Sequence, residues 1–142
     1  MRIAVGSDHA GFRLKEAVKA YLQAHGHEVV DFGTDSEQSV DYPLFIRPAA
    51  QAVAGGDCAR AFIFGGSGNG EAMVANRLRG VRCAVCWNSQ SAILARQHND
   101  ANVISLGQRL MTQETALEIV ELVLSTPFDG DRHARRIRQI DA

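Results

Sequence analysis

The chain has little that would tie it to nucleic acid, to a membrane or to an oxidising compartment. Its 15 lysines and arginines against 16 aspartates and glutamates leave a formal charge of −1, so no global basic field draws it to polyanions. No uninterrupted apolar run approaches the ~20 residues of a membrane span. Strand-like residues begin at Arg2, where a leader would need a charged start and an apolar core, so a cytoplasmic location is the expectation. There are three cysteines, Cys58, Cys83 and Cys86, and an odd count argues against a disulfide framework. Cys83-x-x-Cys86 has the spacing of a redox or zinc half-site, but it lies within the strand-like run Val81–Trp87. Side chains three apart on a strand point to opposite faces, and redox pairs tend to sit at helix N-termini. The cysteines therefore read as core packing in a reducing compartment. Repeats, low-complexity segments and linkers are also missing. What is present is 142 residues with 46% hydrophobic content, enough for one domain, residues 1–142, with a real core.

Taken in order, Arg2–Gly6 reads as a strand and Ser7-Asp8-His9 as the turn behind it. From Gly11 to Ala24 the apolar residues Leu14, Val18, Tyr21 and Leu22 have helical spacing, and Gly26 is placed to cap that helix. Glu28–Phe32 is a second strand, followed by a polar stretch from Gly33 to Asp41. Tyr42-Pro43 opens a helix to about Ala54, with proline tolerated in its first turn. Ala61-Phe62-Ile63-Phe64 is a short buried strand, and Ala72–Leu78 a helix ended by Gly80. The Cys83 strand, a helix over Asn88–Gln97 and a strand over Ala101–Leu106 follow. A further helix runs from a Thr112 cap to about Leu124. Pro127 breaks it, and a basic helix spans roughly Asp131–Ile140. Short apolar strands alternating with helices predict an α/β fold, a parallel sheet of about five strands covered on both faces.

In such folds ligands bind beyond the C-terminal ends of the strands, and the polar residues gather there. Gly65-Gly66-Ser67-Gly68-Asn69-Gly70-Glu71 links the third strand to a helix. Such a turn exposes backbone N–H groups at the positive end of the helix dipole. A nucleotide P-loop would continue with Lys and then Ser or Thr. Here Glu71 and Ala72 follow, and a carboxylate at that point repels phosphate. The dinucleotide pattern fails too, because Glu71 stands where its last glycine belongs. What remains is a donor nest with a carboxylate beside it, suited to an enolate-type oxyanion next to a proton-abstracting base. Ser67 adds a hydroxyl able to relay or donate a proton. The plainer alternative is a tight turn in which Glu71 merely favours the helix N-terminus.

Four other features carry the same kind of choice. Asp8-His9 offers an acceptor and an imidazole at a strand end, or else a helix cap with a surface histidine. His98-Asn99-Asp100 is too polar for core and, unlike the rest, precedes its strand; there a helix C-terminal dipole would favour a protonated imidazole. Arg109 follows a glycine just past the last strand, which suits an anion contact. Arg132, His133, Arg135, Arg136 and Arg138 make the last helix basic, with 132 and 136 sharing one face. That is a solvated face, a nucleic-acid patch too short and too poor in aromatics to persuade, or the phosphate site that the glycine loop cannot be. On the last reading the ligand carries a phosphate at one end and a carbonyl or enediol at the other.

Gly6-Ser7-Asp8-His9-Ala10-Gly11-Phe12, Asp41-Tyr42-Pro43, Gly65–Gly70, Arg96–Asn102 and Asp131-Arg132-His133-x-x-Arg136 together resemble the type B ribose-5-phosphate isomerases, within the ribose/galactose isomerase family. The resemblance covers nearly the whole chain. It implies a three-layer α/β/α, Rossmann-like fold with a five-stranded parallel sheet and an extra C-terminal helix. It also implies no metal or organic cofactor, and a homodimer or dimer of dimers whose sites borrow residues across the interface. The implied activity is the interconversion of ribose 5-phosphate and ribulose 5-phosphate in the pentose phosphate pathway. One branch of the family has a catalytic cysteine where this chain has Gly65; in the other, a glutamate after the loop is the base, and Glu71 matches it. Carried over by position, Glu71 would move the proton, while Ser67 with the amides of Gly66, Gly68, Asn69 and Gly70 would hold the enediolate. Asp8 and Asn99 would orient hydroxyls, His98 would assist ring opening and Tyr42 would line the sugar pocket. His9, Arg109, Arg132 and Arg136 would bind phosphate, the last two from the neighbouring subunit. An isomerase of hexose or tetrose phosphates is the nearest alternative, and a non-catalytic sugar-phosphate module a more distant one.

Overall fold

The computed structural model describes residues 1–142. Five strands form one sheet: β1 (Arg2–Ser7), β2 (Glu28–Asp31), β3 (Arg60–Gly65), β4 (Cys83–Val85) and β5 (Val103–Gly107). All pairings are parallel, in the order β2-β1-β3-β5-β4. Six helices flank it: α1 (Phe12–Ala24), α2 (Pro43–Ala54), α3 (Asn69–Ala75), α4 (Ser89–Asn99), α5 (Gln113–Ser125) and α6 (Arg132–Ile137).

The central strand explains the layering. On β3, Phe62 and Phe64 join a core with Leu14, Val18 and Leu22 of α1, Ala92 of α4 and Ile119 and Val120 of α5. Ala61 and Ile63 face the other way, onto Ile46, Ala49 and Ala50 of α2 and Ala75 of α3. A strand buried on both faces has no polar side to show, so its sequence is continuously apolar. Cys86 belongs to the first core, whereas Cys83 packs at the edge of the second. All three thiols are free, and the x-x spacing separates Cys83 from Cys86 across the sheet, as strand geometry requires. No helix is long and apolar enough to cross a membrane.

Two elements differ from their sequence reading, and one side chain accounts for part of both. Helix α3 begins at Asn69, directly after Gly68 in the left-handed region (φ 85°), and ends at Ala75 rather than Leu78. Asn76 turns its amide outward to pair with edge strand β4: its Oδ1 accepts from Cys83 N–H (2.8 Å) and its Nδ2 donates to Cys83 C=O (2.9 Å). β4 is only three residues long. Arg82 N–H, which a longer strand would use in its ladder, donates instead to Asn102 Oδ1 at 2.8 Å. A short strand with its outer edge occupied by a side chain is protected from pairing with another sheet.

Candidate active site

The crossing order reverses between β1 and β3, which places a crevice beyond their C-terminal ends. Asp8 follows β1 into it, the Gly66–Gly70 loop follows β3, and Arg109 lies in a single 3-10 turn, Gln108–Leu110, just past β5. Asp8 is buried, and its Oδ1 accepts from Gly11 N–H (3.1 Å), which pins the start of α1. Gln108 Oε1 accepts from Leu14 N–H (2.9 Å) and ties the 3-10 turn to the same helix. His9 Nδ1 accepts from Val40 N–H (3.1 Å), leaving the Nε2 side to carry the proton.

The loop itself is held from below. Ser105 Oγ on β5 donates to Gly68 C=O (2.7 Å), and Arg109 N–H donates to Gly66 C=O (3.0 Å). The backbone N–H groups of Gly66, Ser67, Gly68 and Gly70 donate to no acceptor within the chain. They are the free donors an oxyanion needs. Asn69 N–H is not among them, because Ser67 Oγ accepts it at 3.2 Å. The same bond leaves the Ser67 hydroxyl proton free to donate. Tyr42 lies against the loop: a Cβ placed on Gly70 would come within 2.8 Å of its hydroxyl. A Cβ on Gly66 would stand 3.0 Å from an Arg109 guanidinium nitrogen, so that exposed side chain arches over the nest.

Glu71, in the first turn of α3, is 4% exposed. Burial raises its pKa above the ordinary carboxylate range, its own backbone N–H pulls it back, and the charge of Asp8 raises it further. A carboxylate pushed upward beside unpaired amide donors is poised as a proton-transfer base. The space it fills is defined by Gly65, since a Cβ there would lie 1.5 Å from Glu71 Oε1. The thiols are tuned in the opposite sense for reactivity. Burial pushes Cys86 up to about 12 and raises Cys58 and Cys83 as well, which holds them as unreactive thiols.

His98 and Asn99 stand elsewhere. Helix α4 starts just past the C-terminal end of β4 and returns to the start of β5. Its 11 residues carry the chain roughly 16 Å back along the sheet. Its last turn therefore reaches the opposite edge from Glu71. There the His98 ring stacks on His133 of α6, with centroids 4.4 Å apart and planes at 9°. Asn99, Arg136, Ile137 and Ile140 complete a cavity of about 330 Å³ with them, and the exposed Arg132 lies on the same helix. The α4 terminus is braced: Arg82 Nη2 donates to Asp100 C=O (2.9 Å), its Nε to Asn99 C=O (3.0 Å), and Arg96 Nη1 to Asp100 Oδ1 (2.8 Å). These guanidinium groups neutralise the negative end of the helix and hold Asp100 in its left-handed conformation (φ 45°).

One chain thus brings Asp8, His9, Tyr42, the loop amides, Ser67, Glu71 and Arg109 together, and separately gathers His98, Asn99, Arg132 and Arg136. His98 and Asn99, which precede their strand where the other candidates follow theirs, lie with the two arginines rather than with the loop. Sequence reasoning took the Asp131–Arg136 motif for its arginines and passed over His133. The signal was available, because a histidine three residues before Arg136 on a helix shares a face with it.

The ribose/galactose isomerase family profile matches residues 3–140. The chain belongs to the ribose/galactose isomerase family. It is 43% identical over 139 residues to a protein of Mycolicibacterium paratuberculosis named ribose-5-phosphate isomerase B, covering 96% of this chain and 87% of that one. The solved structure of ribose-5-phosphate isomerase B from Clostridium thermocellum superposes with a TM-score of 0.98 at 45% identity, covering 99% of this chain and 95% of that one. The Thermotoga maritima ribose 5-phosphate isomerase gives a TM-score of 0.96 at 49% identity, with 99% and 97% covered. This isomerase family fold accounts for the three layers and the five parallel strands described above.

Proposed function

We propose that the chain is an aldose–ketose isomerase that interconverts ribose 5-phosphate and ribulose 5-phosphate, with Glu71 as its base. The observation that carries this reading is the buried Glu71 carboxylate beside four unpaired loop amides. In the forward direction Glu71 takes the proton from C2 of the open-chain aldose, and the C2–H electrons form the C1–C2 double bond of a cis-enediolate. The loop amides and the Ser67 hydroxyl stabilise the negative oxygen. The O2 hydroxyl proton passes to O1, which becomes the C1 hydroxyl, while Glu71-H returns its proton to C1 and O2 becomes the ketone, so the base ends as it began. Asp8 orients a substrate hydroxyl, and His9 and Arg109 reach the phosphate. Gly65 supports the glutamate branch of the family over the cysteine branch: a side chain there and Glu71 claim the same volume, so the two bases are mutually exclusive.

The reading extends to assembly. His98, which would open the furanose ring, and Arg132 and Arg136, which would hold phosphate, sit at the far edge of their own subunit. They serve a loop only if they are delivered to the loop of a second copy, in a homodimer or dimer of dimers. Leu44 (67% exposed), Met73 (67%), Trp87 (60%) and Leu110 (65%) are apolar and uncovered around the loop end of the sheet. That is the surface such a copy would bury. The test of the activity is kcat/KM for four-, five- and six-carbon aldose phosphates. The five-carbon substrate should lead by at least an order of magnitude. A hexose or tetrose phosphate in first place overturns the substrate; no turnover of any overturns the isomerase reading.

A further inference from the structure

Outside the glycine loop, the densest set of metal-competent side chains is His98, Asp129 and His133, whose donor atoms all lie within 4.8 Å of one another. They come from three segments: the last turn of α4, the connection after α5, and α6. That connection is fixed to α4, because Asp129 N–H donates to Gln97 C=O at 3.0 Å. α6 is fixed in turn: His133 N–H donates to Gly130 C=O (3.1 Å), and Asp141 near the C-terminus accepts from Gly80 N–H (2.8 Å). The imidazole nitrogens of His98 and His133 and the Asp129 carboxylate are engaged by no other group of the chain.

We propose that His98, Asp129 and His133 form a binding site for a zinc-like divalent transition-metal ion that inhibits the protein rather than serving it as a cofactor. Two imidazole nitrogens and one carboxylate oxygen are the donor set of an open zinc site, three protein ligands with a fourth position left to water or an anion. The set excludes magnesium and calcium, which require oxygen-rich shells. Zinc–ligand bonds of about 2.0–2.1 Å in a tetrahedron put donors roughly 3.3 Å apart. Closing the present trio to that distance takes rotation of an exposed carboxylate and a splaying of two stacked rings, and it breaks no hydrogen bond or ion pair. Arg132 and Arg136 oppose a cation there, but both are exposed, and solvent and salt screen them. An anion on the fourth metal position would face Arg136, which lines the same cavity.

A metal held this way removes His98 and occupies the corner assigned to phosphate. Metal binding stands on the trio alone, whereas inhibition rests on the isomerase reading above. The two are separated by measuring them separately. Full-length protein, stripped with chelator, is titrated with Zn²⁺ by calorimetry and with Co²⁺ by visible absorption. One ion per subunit is expected, with a dissociation constant on the order of 10 μM. Co²⁺ should show ligand-field bands without the thiolate charge-transfer band that the cysteines would add. Asp129→Asn and His133→Gln should each weaken binding roughly tenfold or more. Asp129→Asn leaves the catalytic groups in place, so it should keep basal kcat/KM while raising the Zn²⁺ concentration for half-inhibition by the same factor. Absence of binding up to about 1 mM, affinity unchanged in both variants, or a thiolate band overturns the site. Zn²⁺ saturation that leaves turnover intact overturns the inhibitory role. Binding in a protein that turns over no sugar phosphate upholds the site and removes the isomerase reading instead.

Discussion

Around the Gly65–Glu71 loop, the backbone is anchored by Ser105 and Arg109, and four of its amide donors are left without a partner in the chain. Around His98 and His133, the helix end is braced by Arg82 and Arg96, and Asn99, Arg132 and Arg136 are exposed to solvent. The first region adds fixed backbone amides to its side chains, and the second consists entirely of side chains. The difference follows from what each would do. An oxyanion develops and disappears within one turnover, so its donors must not reorganise. A phosphate is present throughout, and long guanidinium side chains can follow it. The loop half can therefore be complete within one subunit, while the other half can be lent to a neighbour.

The sharpest break in that comparison is Glu71→Gln, which keeps the shape of the loop half and removes only its base. It should lower kcat by roughly 10²–10⁴ and leave KM within a few-fold. A correctly folded variant with full activity would exclude Glu71 as the base.

Mixing two dead proteins asks whether the halves come from different subunits. Glu71→Gln lesions the loop half, and Arg136→Ala or His98→Asn the other. In a mixed dimer with sites built across the interface, both lesions fall in one site and the second site is intact. Random exchange of equal amounts makes half the dimers mixed, so about a quarter of wild-type activity should return. The His98→Asn pairing sharpens the test, because the fold moves His98 to the arginine side. No rescue despite subunit exchange, checked by mass spectrometry, would confine each site to one chain.

Gly65→Cys probes how tightly the loop half is packed. The new Cβ meets the Glu71 carboxylate, so the base must leave its place. Displacements near 1 Å cost about a hundredfold in rate, and a kcat lower by roughly 10–10³ is expected. Unchanged kcat, or inactivation by iodoacetamide at full rate, would mean that a thiol can replace the carboxylate without loss.

Much of this contrast was legible before the fold was known, and the exceptions have a common cause. The apolar run at Phe62 marked a strand buried on both faces, and the failure of the P-loop pattern at Glu71 marked an anion site unsuited to phosphate. Both depend on neighbours in sequence. The relation between Gly65 and Glu71 does not: six positions apart, they compete for one volume only because α3 turns back over the end of β3. The same holds for His98 and His133, which meet because α6 folds onto α4. The early end of α3 also depends on a distant partner, since Asn76 leaves the helix to pair with Cys83. Periodicity shows which face a residue takes, but not which other element arrives at that face.

The pH profile offers a smaller effect in the loop half. The base acts deprotonated, so activity falls as pH drops through the pKa of Glu71. Burial and Asp8 both raise that value, and the acidic limb of kcat/KM should lie above the ordinary carboxylate range. Asp8→Asn removes the like charge, so the limb should move to lower pH even though the overall rate also falls. A limb that stays in place or moves up would rule out Asp8 as a contributor to the raised pKa.

The smallest expected effect is on stability, and its sign distinguishes a functional carboxylate from a structural one. A group whose pKa is higher folded than unfolded contributes stability that is fully present below the unfolded pKa. That contribution is lost as pH rises through the folded value. Glu71 is such a group, so near pH 7 its ionised form is a burden on the fold, accepted for what the carboxylate does. Glu71→Gln removes that burden without changing the side chain's size. The variant should be more stable at neutral pH by about 1 kcal/mol, the scale on which relieving a strained functional position acts, read as a rise in Tm. The gain should shrink as pH falls into the ordinary carboxylate range, because the wild-type carboxyl is then protonated in both states. If Glu71 merely favoured the N-terminus of α3, its charge would help the helix, and glutamine would lower Tm at pH 7. Thermal melts of both proteins across that pH range separate the two outcomes by sign.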